Sequence, residues 1–286
     1  MNDRALCSAG TLVPLTGRPS HLAGYPNFGH HNIAWELNGD PRFQSESGTL
    51  NALASEIARA ASPVVVLTSE DFEYLHVRPA ALHELARAMR EIGYRVEFIA
   101  FLRPQAEYAE SLYLTLLPFG MDLRFPEFLE IILRDGAVTF ADRWVFRFDY
   151  TKLLEALAEV AGPHGISVRR YHQDGESRRL LAEFASIVVA QSGEPTFDRL
   201  NLPGRMSPRT SLEAACEFTT HSPALHRFMR DAAAAGSLWN DEYRDLILER
   251  FGADNEALAR VYGLHLPELG SADADAWIPQ PASFIQ

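Results

Sequence analysis

Lysine is almost missing from this chain: Lys152 is the only one among 26 basic residues, and all the others are arginine. A site that needs an ammonium group against a phosphate has one residue to draw on, whereas guanidinium chemistry is plentiful. Positive charge as a whole is scarce, with a net charge of −12 and a pI near 5.3. That balance argues against a broad nucleic-acid or anionic-membrane surface, because such partners are held by clustered Lys and Arg. Any anion site must be local. Cysteine is equally sparse: Cys7 and Cys216 match neither a zinc spacing nor a disulfide framework, which fits a reducing, cytoplasmic setting. No apolar run approaches the ~20 residues of a membrane helix, and Met1 to Leu12 lacks a signal-peptide core, so no membrane span is expected. His-Glu-x-x-His, Gly-x-Ser-x-Gly and paired-cysteine motifs are all absent.

What is present is apolar substance, 47% of 286 residues, enough to bury a core. We expect a single α/β domain over residues 1–269, helical from about 201, and a loose tail over 270–286 rich in Ala, Asp and Pro. From Cys7 to Phe43 the chain is rich in Gly, Pro, His and Asn and reads as ordered but irregular. Leu50, Leu53, Ala54, Ile57 and Ala58 recur at helical spacing behind a Ser47 or Thr49 cap. Val64 to Leu67 reads as a strand covered on both faces, Pro79 to Glu91 as a helix stopped by Gly93, and Arg95 to Leu102 as a second strand. Strand, helix, strand at this spacing is a right-handed crossover unit in a parallel sheet. Ligands of such sheets collect beyond the carboxyl ends of the strands, here Ser69-Glu70 and Arg103. A third strand, Ile166 to Tyr171, and helices at Gln105 to Leu117, Phe125 to Leu133, Tyr150 to Val160 and Arg178 to Ala190 follow. Beyond Asn201 the pattern is helical, with Asp241 to Phe251 and Asn255 to Tyr262 as separate helices.

The most specific chemistry lies in Phe101-Leu102-Arg103-Pro104 and Glu110-Ser111-Leu112-Tyr113. Arg103 leaves a buried strand, and Ser111 follows about two helical turns later. A guanidinium fork and a hydroxyl brought together there can hold a phosphate; the competing reading pairs Arg103 with Glu107 or Glu110 on the surface. Gly29-His30-His31-Asn32 is a second cluster, with either histidine able to handle protons, although adjacent histidines point different ways and make a poor metal site. A metal-assisted hydrolase on His30, His31 and Asp40 is the least favoured reading.

A strand ending in Arg103, with Ser111 eight positions later and then an aromatic, resembles the 3′-phosphate motif of bacterial sulfotransferases that use 3′-phosphoadenosine 5′-phosphosulfate (PAPS). Thr68-Ser69-Glu70-Asp71-Phe72, Phe148-Asp149-Tyr150, Val168-Arg169-Arg170-Tyr171, Asn201 with the residues to Pro208, and Arg250-Phe251 with Asp254-Asn255 resemble further family signatures. The resemblance implies a three-layer parallel sheet of the P-loop NTPase-like type with a mostly helical C-terminal part. The resemblance implies Arg103 and Ser111 as ligands of the nucleotide 3′-phosphate, and a catalytic neighbourhood at Ser69 and Glu70. By position at the strand end Glu70 is the base candidate, and His31 of the histidine pair is a further proton-handling candidate. The alternative for Glu70 is a helix-start role. It also implies PAPS as donor, no metal, and a hydroxyl acceptor, carbohydrate in the first instance, bound by loops at Tyr25 to Asp40 and Pro118 to Arg147. These enzymes open with a strand and a Gly-rich loop that cradles the 5′-phosphosulfate. Arg4, Leu6, Gly10 and Leu12-Val13-Pro14 resemble the family's segment just after that loop, and Gly17-Arg18-Pro19 is no substitute for the loop itself. The expectation is therefore a parallel sheet short of its first strand, with a gap or exposed edge that can pair with another chain. A mis-set translation start or a catalytically inactive, nucleotide- or partner-binding relative would each account for it.

Overall fold

The computed structural model describes residues 3–19, 29–171, 177–189 and 208–266. Asn201 and its neighbours to 207, the 270–286 tail and residues 25–28 of the expected acceptor loop lie outside the described residues. The chain is mixed α/β, with small parallel sheets among many helices.

The N-terminal stretch read as irregular contains helix α1 (Asp3–Ser8), strand β1 (Thr11–Leu12) and helix α2 (His31–Asn38). The sequence hid α2 because His31, Asn32 and Asn38 occupy buried positions where apolar residues would have shown a stripe. Gly39 ends it at φ 65°, a conformation that favours glycine. Helix α3 (Leu50–Ala60) begins on Thr49, whose Oγ1 accepts Ala52 N at 3.2 Å. It buries Leu50, Leu53 and Ile57 and runs to Ala60, with Ala61 turning the chain at φ 49° ahead of Pro63. Strand β2 (Val64–Val65) leads through a 3₁₀ segment, Glu70–Val77, into α4 (Pro79–Glu91), whose Leu82, Leu85, Ala86 and Met89 form the expected stripe.

Strand β3 (Phe98–Leu102), shorter than expected, is followed by α5 (Gln105–Leu116) and α6 (Phe125–Asp135). An antiparallel hairpin then appears that periodicity did not announce, β4 (Ala137–Phe140) with β5 (Trp144–Arg147). Its turn places Ala141 and Asp142 at φ 50° and 58° without a glycine, so the usual hairpin signature is missing. Helix α7 (Tyr150–Ala161), strand β6 (Ile166–Arg170) and helix α8 (Ser177–Val188) complete the α/β part. Helices α9 (Pro208–Ala215) and α10 (Pro223–Ala235) follow. The last element, α11 (Asp241–Tyr262), is one continuous helix where two were expected, since Gly252 sits in open space inside it.

Among the described residues there is no single sheet. β1 pairs with β2 in parallel, β3 pairs with β6 in parallel, and nothing bridges the two pairs. Val65, Leu67, Phe98, Ala100 and Leu102 pack against the leucines of α3, α4 and α7. Val64, Val66 and Ile99 pack with Leu6, Val13 and Val188, the last on α8. The strands therefore alternate between two apolar layers, as residues covered on both faces must. A second core around Tyr113, Phe125, Phe128 and Phe251 joins α5 and α6 to the C-terminal helices.

Candidate functional site

β3 and α5 place the residues of the first motif. The Arg103 guanidinium donates from Nη1 to Ser111 Oγ at 2.8 Å, so of the two readings that the spacing left open the two side chains follow the convergent one. Among the described residues Arg103 forms no ion pair with Glu107 or Glu110, and Glu110 instead accepts Trp239 Nε1 at 3.1 Å. Two contacts that the sequence did not announce fix the arginine. Its guanidinium lies over the Tyr171 ring, 4.1 Å from the centroid, and its carbonyl accepts Tyr150 OH at 2.8 Å. Behind it, Asp254 accepts Tyr150 N at 2.9 Å, and Asn255 and Gln105 exchange two side-chain hydrogen bonds. The Asp254-Asn255 signature thus positions the strand end without entering the cavity. Arg250 docks α11 by pairing with Asp149.

The adjacent histidines divide their work. His30 accepts Thr68 N at Nδ1 (3.0 Å), which leaves Nε2 to donate to Pro14 O (3.0 Å). Burial, aided by nearby Arg18, lowers its pKa to about 4, so at neutral pH it is an uncharged strut between the ends of β1 and β2. The expectation that His30 could handle protons near neutrality is overturned.

His31 is the residue brought to the chemistry. Its Nδ1 lies 3.1 Å from Asp71 Oδ2 and 2.9 Å from Ser69 Oγ, and Trp35 Nε1 donates to the same carboxylate oxygen at 2.6 Å. A carboxylate beside Nδ1 favours the tautomer with the hydrogen there, so Nε2 holds the lone pair. Nε2 faces Glu70 Oε2 at 3.7 Å, and the Glu70 side chain is 92% exposed. Gly29 makes this possible, because a Cβ at that position would lie 2.6 Å from Nε2 and 3.0 Å from Thr68 O. Ser69 also caps the 3₁₀ segment by accepting Asp71 N, so its hydroxyl has a structural task as well.

Sequence reasoning missed Glu73. It accepts Tyr108 OH at 2.8 Å and Arg147 N at 3.2 Å, and burial pushes its pKa up to about 7 against those bonds, with Asp71 adding to the rise. Only the acidic first turn of the 3₁₀ segment could have flagged it, and that turn holds three carboxylates. Asp40 goes elsewhere. Burial works against its charge, but the bidentate Arg42 prevails and holds it at about 2, with Arg42 itself stacked between Trp35 and Trp144. Among the described residues no three His, Cys, Asp or Glu side chains group as a metal site.

A cavity of about 2090 Å³ joins these groups, bordered by Ser69, Glu70, His31, Glu73, Arg103 and Ser111. No family model, curated protein or solved structure matches this chain. Among the described residues no helix is long and apolar enough to cross a membrane.

Proposed function

We propose that this chain is a sulfotransferase-like protein that binds a 3′-phosphorylated adenosine nucleotide and passes a sulfuryl group from PAPS to a hydroxyl acceptor. The observation that carries the reading is the convergence of Arg103 and Ser111 at the carboxyl end of β3. The pair fits a dianion: Ser111 accepts from the guanidinium, so its own hydrogen can be donated to a phosphate oxygen, and the remaining N–H groups of Arg103 can be added to it. Tyr171 fixes the plane of the fork. In this reading β1–β2 and β3–β6 are two halves of one three-layer sheet of the P-loop NTPase-like type.

The donor supplies an electrophilic sulfur on a phosphate leaving group. No Gly-rich loop in the sequence matches the 5′-phosphosulfate end, and the proton-handling residues of this site act on the acceptor side. The acceptor oxygen attacks sulfur and must lose its proton. His31 Nε2, oriented through Nδ1 by Asp71 and Ser69, is the better placed base, and Glu70, solvated and 3.7 Å away, receives or relays that proton. Trp144, Phe119 and Arg42 border the same cavity and give a carbohydrate acceptor apolar and hydrogen-bonding contacts.

Calorimetric titration with adenosine 3′,5′-bisphosphate tests the reading. Arg103→Ala should weaken binding by about 2 kcal/mol or more, roughly thirtyfold, while adenosine 5′-monophosphate binds both proteins equally weakly. Equal bisphosphate affinity for wild type and variant refutes it. The unbridged gap between β2 and β3 favours a second reading, a catalytically inactive nucleotide- or partner-binding relative. Transfer of labelled sulfate from PAPS to any hydroxyl acceptor by the wild type would exclude it.

A further inference from the structure

The candidate base and the phosphate pair belong to different strands. Ser69 and Asp71, which orient His31, follow β2, whereas Arg103 and Ser111 follow β3, which pairs with β6 and not with β2. Strand pairing therefore does not fix the distance between the two ends. Glu73 is placed to do so. It stands two residues beyond Asp71 in the same 3₁₀ segment. Its Oε1 accepts Tyr108 OH at 2.8 Å and Arg147 N at 3.2 Å, and its Oε2 lies 3.1 Å from the same hydroxyl. One carboxyl thus ties the segment beside the base to α5, about one turn before Ser111, and to the end of β5. The β5 side is tied twice, since Arg147 Nε donates to His76 Nε2 and His76 Nδ1 donates to Glu73 O. On the phosphate side the Tyr108 ring lies 4.8 Å from Phe148 and 6.5 Å from Tyr150, whose hydroxyl holds the Arg103 carbonyl.

We propose that Glu73 is a positioning residue, which holds the His31 imidazole in place relative to the Arg103–Ser111 pair by anchoring the segment that carries Asp71 to α5. It acts through Asp71, whose Oδ2 meets both His31 Nδ1 and Trp35 Nε1. A shift of the segment moves that oxygen and Ser69 Oγ together, and with them the two groups that select the hydrogen on Nδ1 and leave the Nε2 lone pair free. A contact that only stabilises the fold behaves differently. Its loss lowers the folded fraction but leaves the imidazole of each folded molecule where it was, whereas loss of a positioning contact moves the imidazole in a chain that is still folded. The consequence for catalysis rests on the transferase reading; the tie and its effect on His31 do not.

The test is the pair of ring nitrogen resonances of His31 in the whole histidine-labelled chain, recorded by NMR without nucleotide. In the wild type the two should lie far apart, with hydrogen on Nδ1 and a lone pair on Nε2. Tyr108→Phe keeps the ring and removes the tie to α5, so the separation should shrink by about a third or more as the imidazole samples both tautomers. Glu73→Gln keeps a carbonyl oxygen for both donors and should leave the separation unchanged. Tyr113→Phe deletes a buried hydroxyl on the same helix that donates to Leu123 O, and should leave it unchanged as well. Should Tyr108→Phe not fold, the double variant Glu73→Gln with Tyr108→Phe strands no charge and should show the same shrinkage. An unchanged separation in the folded variant refutes the role, as does an equal change in Tyr113→Phe or a wild-type ring already averaged between tautomers. Under the transferase reading Tyr108→Phe should also lower kcat about tenfold or more with the KM for PAPS within about twofold, and an equal loss in both would contradict it. If the wild type transfers no sulfuryl group, the transferase reading falls while the His31 resonances still decide the role of Glu73.

Discussion

Glu73 makes the folded chain's stability depend on pH in a direction that can be worked out. Its carboxyl lies between Tyr108 and the Arg147 amide, with Asp71 raising its pKa further and His76 held beside it by Arg147. Its pKa moves from 4.5 to about 7, so between those values the folded chain binds a proton that the unfolded chain releases. A tenfold change in proton affinity is about 1.4 kcal/mol, which gives roughly 3 kcal/mol of stability, present in full below 4.5 and lost as pH rises through 7. His30 acts in the opposite sense, so the wild-type curve alone mixes the two. The assay is therefore the difference in urea-unfolding free energy between wild type and Glu73→Gln from about pH 4.5 to 8.5. Glutamine keeps the acceptor for Tyr108 and carries no charge, so it should track the wild type at the acid end and exceed it by roughly 2–3 kcal/mol at the alkaline end. A constant difference across the range would refute a carboxyl that titrates near neutrality.

His30→Gln should remove a loss of stability that the wild type shows as pH falls from 6.5 towards 4, where the unfolded histidine takes a proton that the buried one refuses; unchanged acid unfolding midpoints would contradict this. Gly29→Ala should push the His31 ring aside and cut sulfuryl transfer about tenfold or more with bisphosphate affinity unaltered, and a parallel loss of both would contradict it. Tyr171→Leu should weaken bisphosphate binding by about 0.5–2 kcal/mol in calorimetry by releasing the Arg103 guanidinium, and an unchanged affinity would remove Tyr171 from the site.

The legible parts of the fold were those with a period. Pro79–Glu91 is found with the bounds its leucine stripe gave, and α3 begins on the Thr49 cap. The helix at His31–Asn38 was not legible because its buried face carries imidazole and amide groups in place of an apolar stripe; Asn32, for one, bonds the backbone of Gln44 and Gly48. The hairpin escaped notice because its turn lacks glycine. At the site, Arg103 and Ser111 could be read from spacing, since one strand end and one helix fix both. Tyr171, Asp71 and Glu73 could not, because each acquires its partner only when separate elements pack. Glu70 attracted attention by position, yet burial and orientation favour its neighbour His31.

The central claim is that the Arg103 fork and the Ser111 hydroxyl close on a phosphate at the rim of β3. A crystal structure of the chain with adenosine 3′,5′-bisphosphate tests it most directly. The account predicts the 3′-phosphate within hydrogen-bonding distance of both side chains, with Tyr171 still beneath the guanidinium. Nucleotide bound elsewhere, with Arg103 still donating only to Ser111, would contradict it.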